Sequence, residues 1–333
     1  MGKPANFLQL VTPTRSESLS YRRFFLRCLL TFGALVWGLP IFPVGRCRAQ
    51  QPSGSSVYQR AAGGQPLSAG QPERIVAAML AELGRMESIS ARVRQRTRVG
   101  GRVLVGTGRY LQQGRGEEQR FRLETVIEAD TERFELLELS DGLSFWNYRK
   151  RGDEPPRLER VDIARVRSRL EQLGVAADGV VTPYLGGLQR SLARIRQWFL
   201  FTSAEAGTLE GVPVWRVEGH WNPQLLAAIL PEQAEATTSS AGLLPGQLPE
   251  GMPWSVELVI GSGRLFPFRI EWRAAVGEQR EGGSQLQPFS VLELYEVQIN
   301  EPVDSAAFVY RPSSEGLVDL TETFVRQTHP LRP

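Results

Sequence analysis

Cysteine is scarce in this 333-residue chain, with only Cys28 and Cys47, and both fall near the N-terminus. The rest of the chain therefore has no disulfide framework to rely on. Histidine is equally rare. His220 sits between Gly219 and Trp221 at a strand end, and His329 lies in a Pro-rich tail. Neither has a Cys or a second His at ligand spacing, so no metal site is expected. The Gly106-Thr107-Gly108 run lies inside a strand pattern, lacks a third glycine and opens no helix, which excludes a dinucleotide loop. Ser140-Asp141 has no His or Lys placed to activate a nucleophile. Acidic residues alternate with basic ones along strand faces and read as solvated ladders. No motif names a reaction. The expectation is a protein that is not an enzyme and uses no cofactor.

Long apolar runs are also missing. Cys28 to Val44 is apolar but ends at Pro40 and Pro43, short of the roughly 20 residues a spanning helix needs. It follows the basic stretch Tyr21–Arg27, and Cys47-Arg48-Ala49 offers small residues at −3 and −1. Residues 1–49 thus have the three parts of a cleaved secretory signal, an uncleaved anchor being the alternative. The leader holds seven basic residues and one acid. Removing them from totals of 39 and 36 leaves 32 and 35, a net charge of −3. The basic pI of 9.1 therefore belongs mostly to the leader, and a nucleic-acid partner is not expected. About 280 residues remain, enough for one large core.

Residues 50–71 are rich in Gln, Gly, Ser and Pro and read as a flexible linker. Pro72 opens a helix with Ile75, Val76, Met79, Leu80, Leu83 and Met86 at helical spacing. From Ile89 the period becomes two. A meander of roughly six strands runs to residue 162, with an Asp141-Gly142 hairpin turn near its end. Two amphipathic helices follow. One carries Ile163, Val166, Leu170 and Leu173, the other Leu185, Leu188, Leu192, Ile195 and Phe199 with Arg190, Arg194 and Arg196 mostly on its other face. A strand at Val212–Glu218 precedes a short helix capped by Asn222, and residues 232–250 read as an exposed low-complexity insertion loop. Three strands close the fold. Their one-sided sets are Trp254, Val256, Leu258, Ile260; then Phe266, Phe268, Ile270, Trp272; then Phe289, Val291, Tyr295, Val297, Ile299.

The expected class is α+β: a single highly curved antiparallel sheet of about ten strands, an incomplete β-barrel, covered by amphipathic lid helices. One face is rich in aromatic side chains and cannot stay in water. The helices either fill the concavity or leave an apolar cavity.

Two segments carry a resemblance. Leu139-Ser140-Asp141-Gly142-Leu143-Ser144-Phe145-Trp146-Asn147-Tyr148 matches a hydrophobic–Ser-Asp-Gly–x–x–hydrophobic–Trp–x–Tyr hairpin. Asn300, Val303-Asp304, Phe308, Pro312 and Gly316 to Val318 match a C-terminal strand and tail. With the element order between them, residues 72–324 resemble the LolA-like periplasmic lipoprotein carriers, the LolA, LolB and RseB type of fold, leaving 325–333 as a tail. The resemblance implies a periplasmic half-barrel whose apolar cavity holds lipid or lipoprotein acyl chains. It implies a cavity wall of Trp146, Trp254, Phe266, Phe268, Trp272, Phe289 and Tyr295, and a lid presenting Leu188, Leu192, Ile195 and Phe199. The family's lid-holding Arg-Pro loop corresponds to Gly114-Arg115-Gly116, without the Pro, and Arg115 becomes the candidate latch. Envelope membrane proteins are possible partners, and a monomer is expected. The alternatives are an envelope-stress sensor of the same fold that binds a protein partner, and a filled-core structural domain.

Overall fold

The computed structural model describes residues 58–60, 70–99, 102–129, 132–174, 187–238, 243–249, 252–276, 285–312 and 316–328. Residues 1–49, expected to be a signal segment, most of residues 50–71 and residues 329–333 lie outside them. Among the described residues, no helix is long and apolar enough to cross a membrane.

Among the described residues, thirteen strands form one sheet. In chain order they are β1 (Tyr58–Arg60), β2 (Ser88–Val99), β3 (Arg102–Gln113), β4 (Arg120–Ala129), β5 (Glu132–Ser140), β6 (Ser144–Arg151), β7 (Arg157–Asp162), β8 (Phe199–Leu209), β9 (Val212–Trp221), β10 (Ser255–Gly261), β11 (Pro267–Val276), β12 (Gln285–Ile299) and β13 (Leu317–Asp319). The spatial order is β1-β8-β9-β10-β11-β12-β2-β3-β4-β5-β6-β7-β13, curved and unclosed, and among the described strands only the β7–β13 pair is parallel. The meander from β2 to β7 is as the sequence suggests. The strands beyond the expected ten are β1, β8 and β13. β1 and β13 are three residues each and carry no periodicity. β8 begins at Phe199, a residue that also continues the helical apolar stripe before it.

Register sorts the residues between two faces. One row across the sheet reads Ala204, Val217, Leu258, Ile270, Leu292, Gln95, Gly106, Ile127, Phe134. The adjacent row, on the other face, reads Glu205, Arg216, Val259, Arg269, Glu293, Arg94, Thr107, Val126, Glu135, Lys150. The first face is concave and apolar; the second is charged. On the charged face, Glu257, Glu271 and Glu293 are buried rather than solvated. Arginine stems cover them: Arg216 and Arg273 reach Glu257 at 3.1 and 3.0 Å, Arg273 and Arg269 bind Glu271, and Arg96 reaches Glu293 at 3.1 Å.

Gly106 and Gly108 belong to the sheet's curvature. A Cβ at Gly108 would lie 1.7 Å from the Glu124 carbonyl oxygen, and one at Gly106 would lie 2.7 Å from both Thr125 and Ile127 side chains. The backbones of β3 and β4 approach closely on the concave side because neither position carries a side chain.

The concave face is covered by α1 (Gln71–Leu83), α3 (Leu188–Trp198) and α4 (Pro223–Ile229), through Val76, Met79, Leu83, Leu188, Leu192 and Leu226. A second cluster joins Val161 to α2 (Ile163–Gln172) and α6 (Thr321–Thr328), and Phe145 packs against both clusters. Asn222 caps α4, accepting from Gln224 N at 3.0 Å, as read from sequence. Between α4 and β10, where an exposed loop was expected, residues 231–247 include two 3-10 turns and a short helix, α5 (Ala234–Thr238). Leu243 is buried in the main core, which fixes this segment to the body of the fold.

Candidate functional site

The lid is α3. Leu188, Leu192 and Ile195 recur at i, i+4 and i+7, and all three are buried in the main core together with Trp198. Phe199, expected on the lid, is instead the first residue of β8, because the helix ends at Trp198. Its ring lies 4.5 Å from that of Trp221 on the neighbouring strand, so Phe199 belongs to the sheet.

Polar contacts fasten the lid, one of them buried and the others nearer its edges. The helix starts after Gly187, whose φ of 81° suits glycine. Leu188 N donates to Tyr110 Oη at 2.8 Å, and Tyr110 Oη donates to Gln112 Oε1 at 2.6 Å. Burial pushes the Tyr110 hydroxyl far above its ordinary pKa, so it remains a phenol able to play both parts. Gln189 Nε2 reaches Leu80 O at 3.4 Å, and Arg196 Nε meets Glu73 Oε1 on α1 at 2.6 Å. Arg190 donates to Gly116 O at 3.0 Å. Arg115, the candidate latch, pairs with Glu87 at 3.0 Å and is exposed. The loop that was expected to hold the lid by an arginine side chain contributes a carbonyl instead, and the arginine comes from the lid. Arg190 and Arg194, placed by helical spacing on the lid's far side, are both buried.

The expected wall residues divide between the faces. Phe266, Trp272 and Phe289 are buried in the concave core, and Trp254 and Phe268 pack against it half-buried. Phe266 and Phe268 meet edge to face at 5.4 Å. Trp272 Nε1 is buried without a hydrogen-bond partner among the described residues. Tyr295 lies on the opposite face: it pairs with Arg92, while Leu294 pairs with Val93 of the core. The Arg94 guanidinium sits 5.3 Å from its ring. Two register shifts explain this. β12 slips against β11 near Pro288 and against β2 between Tyr295 and Gln298, with Glu296 at φ 50°. Each slip reverses the alternation, so Phe289, Leu292, Leu294, Val297 and Ile299 share the core while Val291 and Tyr295 do not. Trp146 also faces away. It pairs with Leu139 and Arg160, whereas its neighbour Phe145 faces the core. The C-terminal segment covers it: Tyr310 meets its ring at 5.7 Å, and Arg122 holds Ala307 O at 3.0 Å.

Along the concave face the chemistry changes at β5. One row reads Ala91, Tyr110, Leu123, Glu138, Asn147, Glu159, and the next reads Val93, Gly108, Thr125, Leu136, Arg149, Arg157. The face is thus mostly apolar from β8 to β4, and on β5 to β7 it brings in Glu138, Asn147, Glu159, Arg149 and Arg157 beside Phe134, Leu136, Phe145 and Val161. Glu138 is 7% exposed and makes no hydrogen bond among the described residues. Burial pushes its pKa up to about 8, against the pull of Arg149 and of Arg194 on the lid. Arg149 Nε donates to Asn147 Oδ1 at 3.3 Å, Asn147 Nδ2 donates to Glu159 Oε2 at 3.3 Å, and Arg157 pairs with Glu159 at 3.1 Å.

No protein-family model matches the chain, and no curated protein does. Several solved structures are similar to it. The MucA/MucB complex of Pseudomonas aeruginosa matches at 8% identity and TM-score 0.36 over 73% of this chain and 62% of that chain. Lipoprotein LppX of Mycobacterium tuberculosis matches at 10% identity and TM-score 0.35, over 72% of this chain and 100% of that one. A putative outer membrane lipoprotein-sorting protein domain from Vibrio parahaemolyticus matches at 9% identity and TM-score 0.30, over 71% and 95%. Identities of this size leave the functional argument to the residues of this chain.

Sequence reading missed Tyr110, Glu138, Arg149 and Arg190. For Glu138 a signal existed: it shares a strand face with Phe134 and Leu136, so a carboxyl stands where the pattern calls for an apolar group. Tyr110 and Arg190 carry no such mark, because their roles depend on long-range contacts.

Proposed function

We propose that the protein is an exported carrier that shelters an acyl chain between its apolar concave face and the lid helix α3. Residues 1–49 would direct export, and residues 72–324 would form the carrying domain. The observation that carries this reading is how α3 is attached. Its apolar side lies on a continuous apolar face; its polar ties to Leu80, Gly116 and Glu73 are part-buried or exposed, and a single tie to Tyr110 is buried beneath its first residue. Each tie is worth about 1 kcal/mol net, so the lid is held by a few exchangeable bonds. An entering acyl chain would replace Leu188, Leu192 and Ile195 against Val256, Leu258, Trp272 and Phe289. Burying it contributes about 0.8 kcal/mol per CH₂, so a long chain offsets both the opened ties and the displaced lid contacts. The test is extraction of the protein purified from its native envelope. Co-purifying lipid identified by mass spectrometry, at a stoichiometric level, supports the carrier. Lipid-free protein that also fails to bind a fluorescent fatty acid contradicts it.

A further inference from the structure

We infer that the polar end of the concave face, Glu138 with Arg149 and Asn147 under Arg194 of the lid, recognises the carboxylate end of an acyl ligand. This rests on the carrier reading above and assigns the ligand's orientation and headgroup class.

The concave face is amphipathic along its length. Leu123 on β4 is followed in its row by Glu138 on β5 and Asn147 on β6, and Thr125 and Leu136 by Arg149. A chain lying on the apolar part would therefore bring its polar end to β5 and β6. Diagonal neighbours on adjacent strands stand about 7–8 Å apart, which puts Arg149 within side-chain reach of a group beside Glu138. The Arg149 bond to Asn147 draws its guanidinium in that direction. Arg149 makes no ion pair among the described residues. A buried carboxyl group without a hydrogen bond, next to a guanidinium without an ion pair, is an arrangement that a ligand group completes.

The site favours a monoanion. Guanidinium binds carboxylate bidentately, and a protonated Glu138 can donate a hydrogen bond to the same group. A dianionic phosphate would have to sit near Glu159, whose charge opposes it and is compensated by Arg157.

Glu138 then acts as an internal competitor. The groups facing it are Arg149, Glu159 and Arg157 from β6 and β7, Arg194 from α3, and Tyr110 from β3; its β4 neighbours Leu123 and Thr125 are neutral. Below about 8 Glu138 holds its proton and Arg149 is open to the ligand. Above that value it becomes a carboxylate and takes the guanidinium for itself. Ligand binding is therefore coupled to a proton and weakens as pH rises.

The experiment is displacement of cis-parinaric acid from the full mature chain by laurate, methyl laurate and lauryl phosphate, at pH 7 and pH 9. Laurate should bind best at pH 7 and weaken by about tenfold or more at pH 9, the scale of losing one buried charge contact. Glu138→Gln should abolish the pH dependence. Arg149→Gln, at a half-buried position, should reduce laurate to the affinity of its methyl ester while leaving the ester unchanged. Equal binding of acid and ester, with no effect of either substitution, overturns the headgroup site and leaves the carrier standing. A preference for lauryl phosphate overturns the carboxylate assignment. No binding of any probe removes the carrier reading and this one together.

Discussion

At Gly108 there is no room for a methyl group. The added Cβ would lie 1.7 Å from a backbone oxygen of β4, and backbone cannot rotate aside as a side chain can. Gly108→Ala should therefore push β3 from β4 and cost several kcal/mol, the range of severe steric substitutions, measured as a drop in the urea midpoint. Gly106→Ala crowds two side chains at 2.7 Å and meets backbone only at an ordinary 3.4 Å contact, and should cost less. Glu138 offers a second measurement. Its folded pKa of about 8 lies above the unfolded carboxylate value near 4.3, so the folded state binds the proton more tightly. The associated stability is fully present below the unfolded value and is lost as pH rises through about 8. Wild-type protein should lose on the order of a few kcal/mol from this group between pH 5 and pH 9, and Glu138→Gln should remove that slope. A Glu138→Gln protein that keeps the wild-type slope would place the titration elsewhere. Residue roles were the least legible feature of the sequence. Trp146 and Tyr295 look like wall residues by type, but strict alternation misassigns Tyr295, which lies between two bulges, and Trp146 faces the C-terminal segment, whose position over β6 no local pattern reveals.

Among the elements, α3 was readable as an amphipathic helix because its stripe of Leu188, Leu192 and Ile195 is local. Its end was not, since Phe199 fits the helical stripe and the strand equally well, and β8 (Phe199–Leu209) is interrupted by small and polar residues. How the lid is tied was also hidden, because Tyr110 is 78 positions away from Leu188. That tie gives the prediction at this scale. Tyr110→Phe keeps the ring but leaves the Leu188 N–H buried without an acceptor, a loss of about 1–3 kcal/mol. Hydrogen exchange should accelerate in the first turn of α3 and remain unchanged in α1. Equal protection of α3 in both proteins would show that the lid does not depend on this contact.

For the molecule as a whole, the two-faced sheet was legible from the sequence, since period-two patterning fixes one wet and one dry side on most strands. The sequence could not show how the dry side changes along the sheet. The apolar strands β8 to β12 meet the meander β2–β7, which carries the polar groups, through pairings between β12 and β2, some two hundred positions apart. Nor could composition show that Glu257, Glu271 and Glu293 are buried under arginines on the convex face. On the proposed reading the concave face binds the ligand, and the convex face, where Glu257, Glu271 and Glu293 lie buried under arginines, takes no part. The most direct test is photolabelling with a diazirine-bearing fatty acid, followed by peptide mapping. Labels on β10, β11 and the lid, at residues such as Val256, Leu258, Trp272 and Leu192, are the predicted result. Labels confined to the convex face, or no labelling that excess unlabelled fatty acid can block, would contradict it.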